Sequence, residues 1–188
     1  MKRSLEKTML KIARDAIMEQ FTGQRLIDTE ALVKEYPRLA EPGAVFVTLN
    51  EKGHLRGCIG SVEAHRPLIE DIIHNARAAA FSDSRFLPVE QDEMDDITIE
   101  ISLLSEPEEI FYTDEEDLER KVVPGADGII LSKGFYRAVF LPQVWEKLPD
   151  FLTFFNHLCR KAGLNGNCLA DHPDIYRFRV TIVEEEGR

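Results

Sequence analysis

Leu5, Met9, Ile12, Ala13, Ala16 and Ile17 recur at helical steps from Ser4 onward, and Gly23 follows them. The spacing predicts an amphipathic helix over residues 4 to 21 with its apolar stripe in the core. Asp28 stands where a side chain can cap a shorter helix through Tyr36, which Pro37 stops because it lacks an amide hydrogen. The period then changes. Val45, Val47 and Leu49 alternate with less apolar neighbours, Glu51-Lys52-Gly53 supplies turn chemistry, and a second apolar segment starts at Leu55, so a hairpin is expected. Pro67 suits a first helical position, and Leu68, Ile69, Ile72, Ile73, Ala76 and Ala80 draw one stripe as far as Phe81.

Farther on, Ile97, Ile99, Ile101 and Leu103 alternate with Thr98, Glu100, Ser102 and Leu104, the period of a strand. The acidic run Asp114, Glu115, Glu116, Asp117 predicts a short exposed helix, and Pro124-Gly125 precedes strands near 127 to 132 and 135 to 141. Asp150 or its neighbour caps a helix with a wide face of Phe151, Phe154, Phe155 and Leu158, closed by Arg160, Lys161 and Gly163. Tyr176, Phe178, Val180 and Ile182 alternate with Arg177, Arg179 and Thr181 in a final strand, after which Glu184 to Glu186 fray into solvent.

These elements predict an α/β (α+β) protein with a mixed, largely antiparallel sheet built from hairpins and covered by helices. At 188 residues the chain suits one domain over 1–188, with a smaller lobe at about residues 106–140. The net charge of −11 opposes binding to nucleic acid or an anionic membrane surface. No apolar run approaches the roughly 20 residues of a membrane span, and the N-terminal stretch lacks signal-peptide character, so a cytoplasmic location is expected. Cys58, Cys159 and Cys168 are an odd number without a dense framework, which suits free thiols in a reducing compartment better than structural disulfides.

Leu55-Arg56-Gly57-Cys58-Ile59-Gly60 is where chemistry concentrates. Cys58 between Gly57 and Gly60 gives a ligand room to approach the sulfur. Arg56, two residues away along a strand, would share its face and favour the thiolate, the reactive form. Gly57 and Gly60 equally suit a bulge or tight packing around a buried Cys58, and from the residues alone both readings stand. His54, His65 and His74 are candidate bases, with His65 preferred because it ends the loop entering the helix. Asp83, Arg85 and Phe86 combine an acid, a fork-shaped cation and an aromatic plate suited to a polar ligand, or to satisfying backbone groups and stapling the loop. Glu100 is a general acid or base if its face is covered, although an exposed sheet face is simpler.

The spacing of His157, Cys159, Cys168 and His172 is not the short-loop pattern of structural zinc sites, and no metal is expected. The chain contains no GxxxxGK[ST], GxGxxG or HExxH, which removes the usual support for nucleotide chemistry and leaves any cofactor unknown.

The residues from Gly43 to Leu49, Leu55 to Gly60, Ala64-His65-Arg66-Pro67, Asn75 to Phe81, Leu141-Pro142-Gln143-Val144-Trp145 and Lys161-Ala162-Gly163-Leu164 together resemble the AMMECR domain family. The similarity covers nearly the whole chain and is nearest the prokaryotic branch called AmmeMemoRadiSam system protein A. Cys168 departs from it, standing where related sequences often have tryptophan. The resemblance implies a larger α/β part and a smaller lobe with the Cys58 segment lining a cleft between them. It also implies partners, a Memo-like protein similar to non-haem-iron dioxygenases and a radical-SAM protein, without placing their metals here. Three functions follow: a cysteine-dependent enzyme acting on a small anionic substrate, with Cys58 as nucleophile, Arg56 or Arg85 as anchor and His65 or Asp83 handling a proton; a noncatalytic ligand- or protein-binding regulatory module; and redox sensing through Cys58.

Overall fold

A computed structural model describes residues 2–186. Helix α1 (Lys2–Thr22) buries Met9, Ile12, Ala13, Ala16 and Ile17 along the stripe its spacing predicts. Helix α2 (Thr29–Glu35) starts where the Asp28 side chain accepts a hydrogen bond from Ala31 N, satisfying one of the amides a helix start leaves open. Strands β1 (Ala44–Glu51) and β2 (His54–Gly60) form the expected antiparallel hairpin. Lys52 and Gly53 both have positive φ, 50° and 81°, the geometry of a two-residue turn whose twist matches its strands. Helix α3 (Leu68–Phe81) follows, with Pro67 just before its first residue instead of within it. Strand β3 (Ile97–Leu104) pairs antiparallel with β1.

The remaining elements are β4 (Glu108–Glu109), α4 (Glu115–Lys121), β5 (Gly128–Lys133), β6 (Tyr136–Phe140), α5 (Val144–Lys147), α6 (Phe151–Lys161), β7 (Asp174–Phe178) and β8 (Val180–Glu184). The fold is α+β, and the strands divide between two four-stranded sheets, ordered β2-β1-β3-β8 and β4-β7-β5-β6. The chain forms two compact units, one running through Leu104 and resuming at Thr181, the other Ser105–Val180. No helix among the described residues is long and apolar enough to cross a membrane.

In the first unit, α1 and α3 cover one face of the sheet, meeting Val45, Val47, Leu49, Ile97, Ile99, Ile101 and Val183. Two buried polar residues of α3 tie it to β1. Asp71 accepts hydrogen bonds from Val45 N and Ser61 Oγ, and Asn75 Nδ2 donates to Val45 O, Ser61 Oγ and Asp71. Neither belongs to the apolar stripe that predicted the helix. In the second unit α6 lays Phe151, Phe154, Phe155 and Leu158 on β5 and Trp145, whose ring stacks on Phe154 at 3.6 Å.

Three expectations need correction. The single final strand is two strands in different sheets, because Ser105 pairs with both backbone groups of Arg179 and interrupts the ladder there. The inward residues become Ile175, Phe178 and Val183, so the alternating set from Tyr176 to Ile182 shares no single face. Glu185 is not frayed, since it accepts from Arg14 Nε at 2.8 Å and from Ile99 N at 3.0 Å. Cys159 and Cys168, expected as free thiols, form a disulfide. The turn after α6, with Gly163 at φ 85°, folds the chain back so that the two Cα atoms come within 5.8 Å, a separation a disulfide spans.

Candidate functional site

Strand β2 is an edge strand, and β1 lies beside it. Leu49 faces Gly57 while Asn50 faces Leu55, so Arg56 is an extra residue in the ladder, a bulge. A bulge re-aims the side chain it carries. The Arg56 guanidinium is accordingly taken by Glu93, with Nε donating at 2.7 Å and Nη2 at 3.0 Å, and by the carbonyl of Leu87 at 2.9 Å. Arg56 holds the Glu93 carboxyl below the usual carboxylate range. The cation expected beside Cys58 thus stitches the following loop to the sheet.

Arg85 stands beside Cys58 instead. The Asp83 carboxylate, with only 4% of its side chain exposed, accepts from Arg85 Nη2 at 2.7 Å and Nε at 3.0 Å, and from Cys58 N at 2.9 Å. Arg85 Nη2 also donates to Cys58 O at 3.3 Å. The loop therefore meets both backbone groups of Cys58 as a neighbouring strand would, which closes the open edge. The bidentate Arg85 guanidinium is the main cause that keeps Asp83 well below the usual carboxylate range, with the Cys58 and Arg85 amides assisting and burial opposing. Asp83 is therefore an ionised anchor, not a proton donor. Arg85 is pushed up mainly by Asp83, and the Cys58 sulfur adds to the effect. Its side chain is 55% exposed and lies near the Phe86 ring, 5.4 Å from the centroid.

On the face of the sheet away from α1 and α3, Cys58, Thr48 and Glu100 form one row, because Thr48 is opposite Cys58 in one ladder and opposite Glu100 in the other. Thr48 Oγ1 donates to Cys58 Sγ at 3.3 Å. Cys58 is a half-buried free thiol. Burial pushes the half-buried Glu100 carboxyl up, and the charge of Glu184 on β8 adds to the rise. The row thus carries a sulfur, a hydroxyl donor and a carboxyl that keeps its proton to higher pH than an ordinary glutamate.

The glycines have packing duties. A Cβ on Gly57 would come within 2.2 Å of Ala79 O in α3, and one on Gly60 within 2.2 Å of the Phe46 ring. His65 is far more exposed than Cys58, with 68% of its side chain in solvent and Nε2 at 2.8 Å from Glu63 Oε2. His54 and His74 are exposed. Among the described residues no group of three or more His, Cys, Asp or Glu side chains converges to hold a metal ion.

The AMMECR1 family model matches residues 10–183, nearly the whole chain and all of this site. The chain belongs to the AMMECR1 family. It is 39% identical over 184 residues to a protein of Methanothermobacter thermautotrophicus, covering 96% of this chain and 94% of that one. A protein of Thermococcus gammatolerans is 41% identical over 190 residues, covering 95% and 89%. The crystal structure of an uncharacterized protein from Pyrococcus horikoshii superposes with a TM-score of 0.80 at 38% identity, covering 96% of this chain and 91% of that one. In this AMMECR1-family chain, Cys58, Gly57, Asp83, Arg85 and Phe86 come together, whereas Arg56 turns away to Glu93 and His65 to Glu63. Thr48 was not visible as a site residue in sequence. The Lys52-Gly53 turn alone would set Thr48 opposite Gly57, and it is the bulge at Arg56 that shifts it opposite Cys58, so hairpin counting in the sequence does not find the pair.

Proposed function

We propose that this AMMECR1-family protein is a cysteine-dependent enzyme, in which Cys58 attacks a small anionic substrate held beside the Leu55–Gly60 segment. The observation that carries this reading is the pair of donors at Cys58, the Thr48 hydroxyl on its sulfur and the partly exposed Arg85 guanidinium on its carbonyl. The hydroxyl contact orients the sulfur, and the guanidinium fixes the backbone that carries it. Arg85 retains solvent-facing surface with which to meet an anionic group. Glu100, two strands from Cys58 on the same sheet face, is the group we propose to handle a proton at the far end of the bound substrate, because burial keeps its carboxyl protonated to higher pH than an ordinary glutamate. The setting we propose is the cytoplasm, where Cys58 stays reduced and the Cys159–Cys168 bond persists because both its residues are buried.

The test is alkylation of Cys58 in the folded protein, with and without a small-molecule extract of cells, followed by intact mass. The proposal expects a reactive Cys58 that the extract protects. An inert Cys58, when the same reagent labels it in the unfolded chain, rejects the enzyme.

A second reading has its own support: both backbone groups of Cys58 are clamped, which suits a rigid recognition surface as well as a reactive one. In it the segment binds a ligand or a Memo-like or radical-SAM partner without reacting. Cys58→Ser then keeps full affinity, whereas the enzyme loses its covalent adduct.

A further inference from the structure

The two edges of the first sheet differ. At β2 the bulge and the Asp83–Arg85 loop close the edge beside Cys58, whereas at β8, the strand at the opposite end, no described strand or loop pairs with the outer side. The bonds from Ser105 N to Arg179 O and from Glu185 N to Ile99 O set β8 antiparallel to β3 and turn its odd-numbered residues toward that strand. Val180, Ile182 and Glu184 therefore point their backbone N–H and C=O groups outward, and among the described residues none of these groups is hydrogen-bonded. Ile182, at the centre of the strand, is 61% exposed. An open edge of this kind is a template for another strand, which folded chains ordinarily cover.

A groove of about 560 Å³ lies between α1 and β8, lined by Lys7, Leu10 and Lys11 from the helix and Ile182, Val183 and Glu184 from the strand. An extended chain laid in it meets unpaired backbone groups on one flank and a helix on the other, the arrangement in which a peptide joins a sheet. Charge selects the occupant. Arg14 is engaged by Glu185 and Lys11 by Asp15, which leaves Glu6, Glu184 and Glu186 against Lys7 alone among the described residues of the groove. We propose that β8 takes a basic, extended segment of a partner protein as an added strand of the sheet. A second copy of this chain, with a net charge of −11 and the same glutamates, is disfavoured there. This site is at the other end of the sheet from Cys58 and does not depend on the enzyme reading.

Three peptides test it, titrated into the full chain while amide hydrogen exchange is followed by NMR: KTVKVTK, its acidic counterpart ETVEVTE, and KTVKVTK with every interior amide N-methylated. In the free chain the amides of Ile182 and Glu184 should exchange readily, while those of Thr181 and Val183, turned to β3, are protected. KTVKVTK is expected to slow exchange at Ile182 and Glu184 roughly tenfold and to bind roughly tenfold more tightly than either of the other peptides. Ile182→Pro, which removes an outward donor and none of the bonds to β3, should lose the same peptide. The peptide comparison uses the unaltered chain, so it decides the matter even if that variant misfolds. The proposal is overturned if KTVKVTK binds no better than ETVEVTE or the methylated peptide, or leaves exchange at Ile182 and Glu184 unchanged. Protection of those amides that needs no peptide and grows with protein concentration would assign the edge to a second copy and overturn it as well.

Discussion

Asp83 receives the Cys58 amide on Oδ2, the same oxygen that receives Arg85 Nη2. One buried carboxylate therefore fixes both the backbone of the thiol and the cation beside it. Asp83→Ala leaves a peptide amide and a guanidinium without their acceptor, and a loss of about 2 kcal/mol is expected, held to that size because Arg85 is largely in solvent. Because the folded-state pKa of Asp83 is depressed, its contribution is complete above about pH 4, the ordinary aspartate titration, and is lost as pH falls toward the folded value. Denaturant unfolding of Asp83→Asn followed downward from neutral pH should accordingly show a shallower acid loss than the parent. Equal slopes would remove Asp83 from the acid response.

Gly57 faces backbone and Gly60 faces a side chain, and that difference orders two substitutions. Gly57→Ala drives a methyl onto Ala79 O, which can yield only if α3 moves from the sheet, for about 3 kcal/mol. Gly60→Ala meets the Phe46 side chain at Cγ, which must swing about its Cα–Cβ bond, a smaller shift than moving a helix, and should cost less. Thermal unfolding of the two variants checks the order, and a Gly60→Ala variant less stable than Gly57→Ala would contradict it.

The buried polar tie between α3 and β1 should also be expensive to cut. Asn75→Ala removes one of the two donors to Val45 O, which keeps the Ser61 amide, and strips the buried Asp71 carboxylate of its Asn75 donor, an expected loss of about 2 kcal/mol. A destabilisation of a few tenths in urea unfolding would mean that the network relaxes onto other partners.

The Cys159–Cys168 disulfide closes a short loop, since the two residues are nine apart, and the chain-entropy argument gives it about 3 kcal/mol. A strong reductant should lower the unfolding temperature of the parent protein and leave that of the Cys159→Ala, Cys168→Ala double variant unchanged. Equal melting of the parent with and without reductant would show that the bond carries no stability.

What was legible in the sequence followed from local periodicity. The α1 stripe, the caps at Asp28 and Asp150 and the alternation of β3 are one-dimensional patterns with one physical solution each. The bulge at Arg56 was not legible, because it is a property of register between two strands, and it turned the expected partner of Cys58 away. Arg85 was visible as a candidate, but only the folded loop shows that its guanidinium reaches Cys58 O. The row from Cys58 through Thr48 to Glu100 lies across strands far apart in the chain, so no spacing announces it. The disulfide depends on the return of the chain after α6, and the odd cysteine count concealed it. Val180 to Ile182 kept their alternation while changing sheets, which hydropathy alone does not register.

The proposed reactivity of Cys58 and its dependence on Arg85 are open to a single comparison of alkylation rates. Cys58 is the free cysteine of the described chain, so alkylation by iodoacetamide at neutral pH, read by intact mass, reports that residue in the folded protein. Measurable labelling of the parent is expected, with a several-fold slower rate in Arg85→Ala and Arg85→Lys between the two because it keeps the charge but not the paired contact with Asp83. Equal rates in the parent and Arg85→Ala, or no labelling of the folded parent at all, would contradict it.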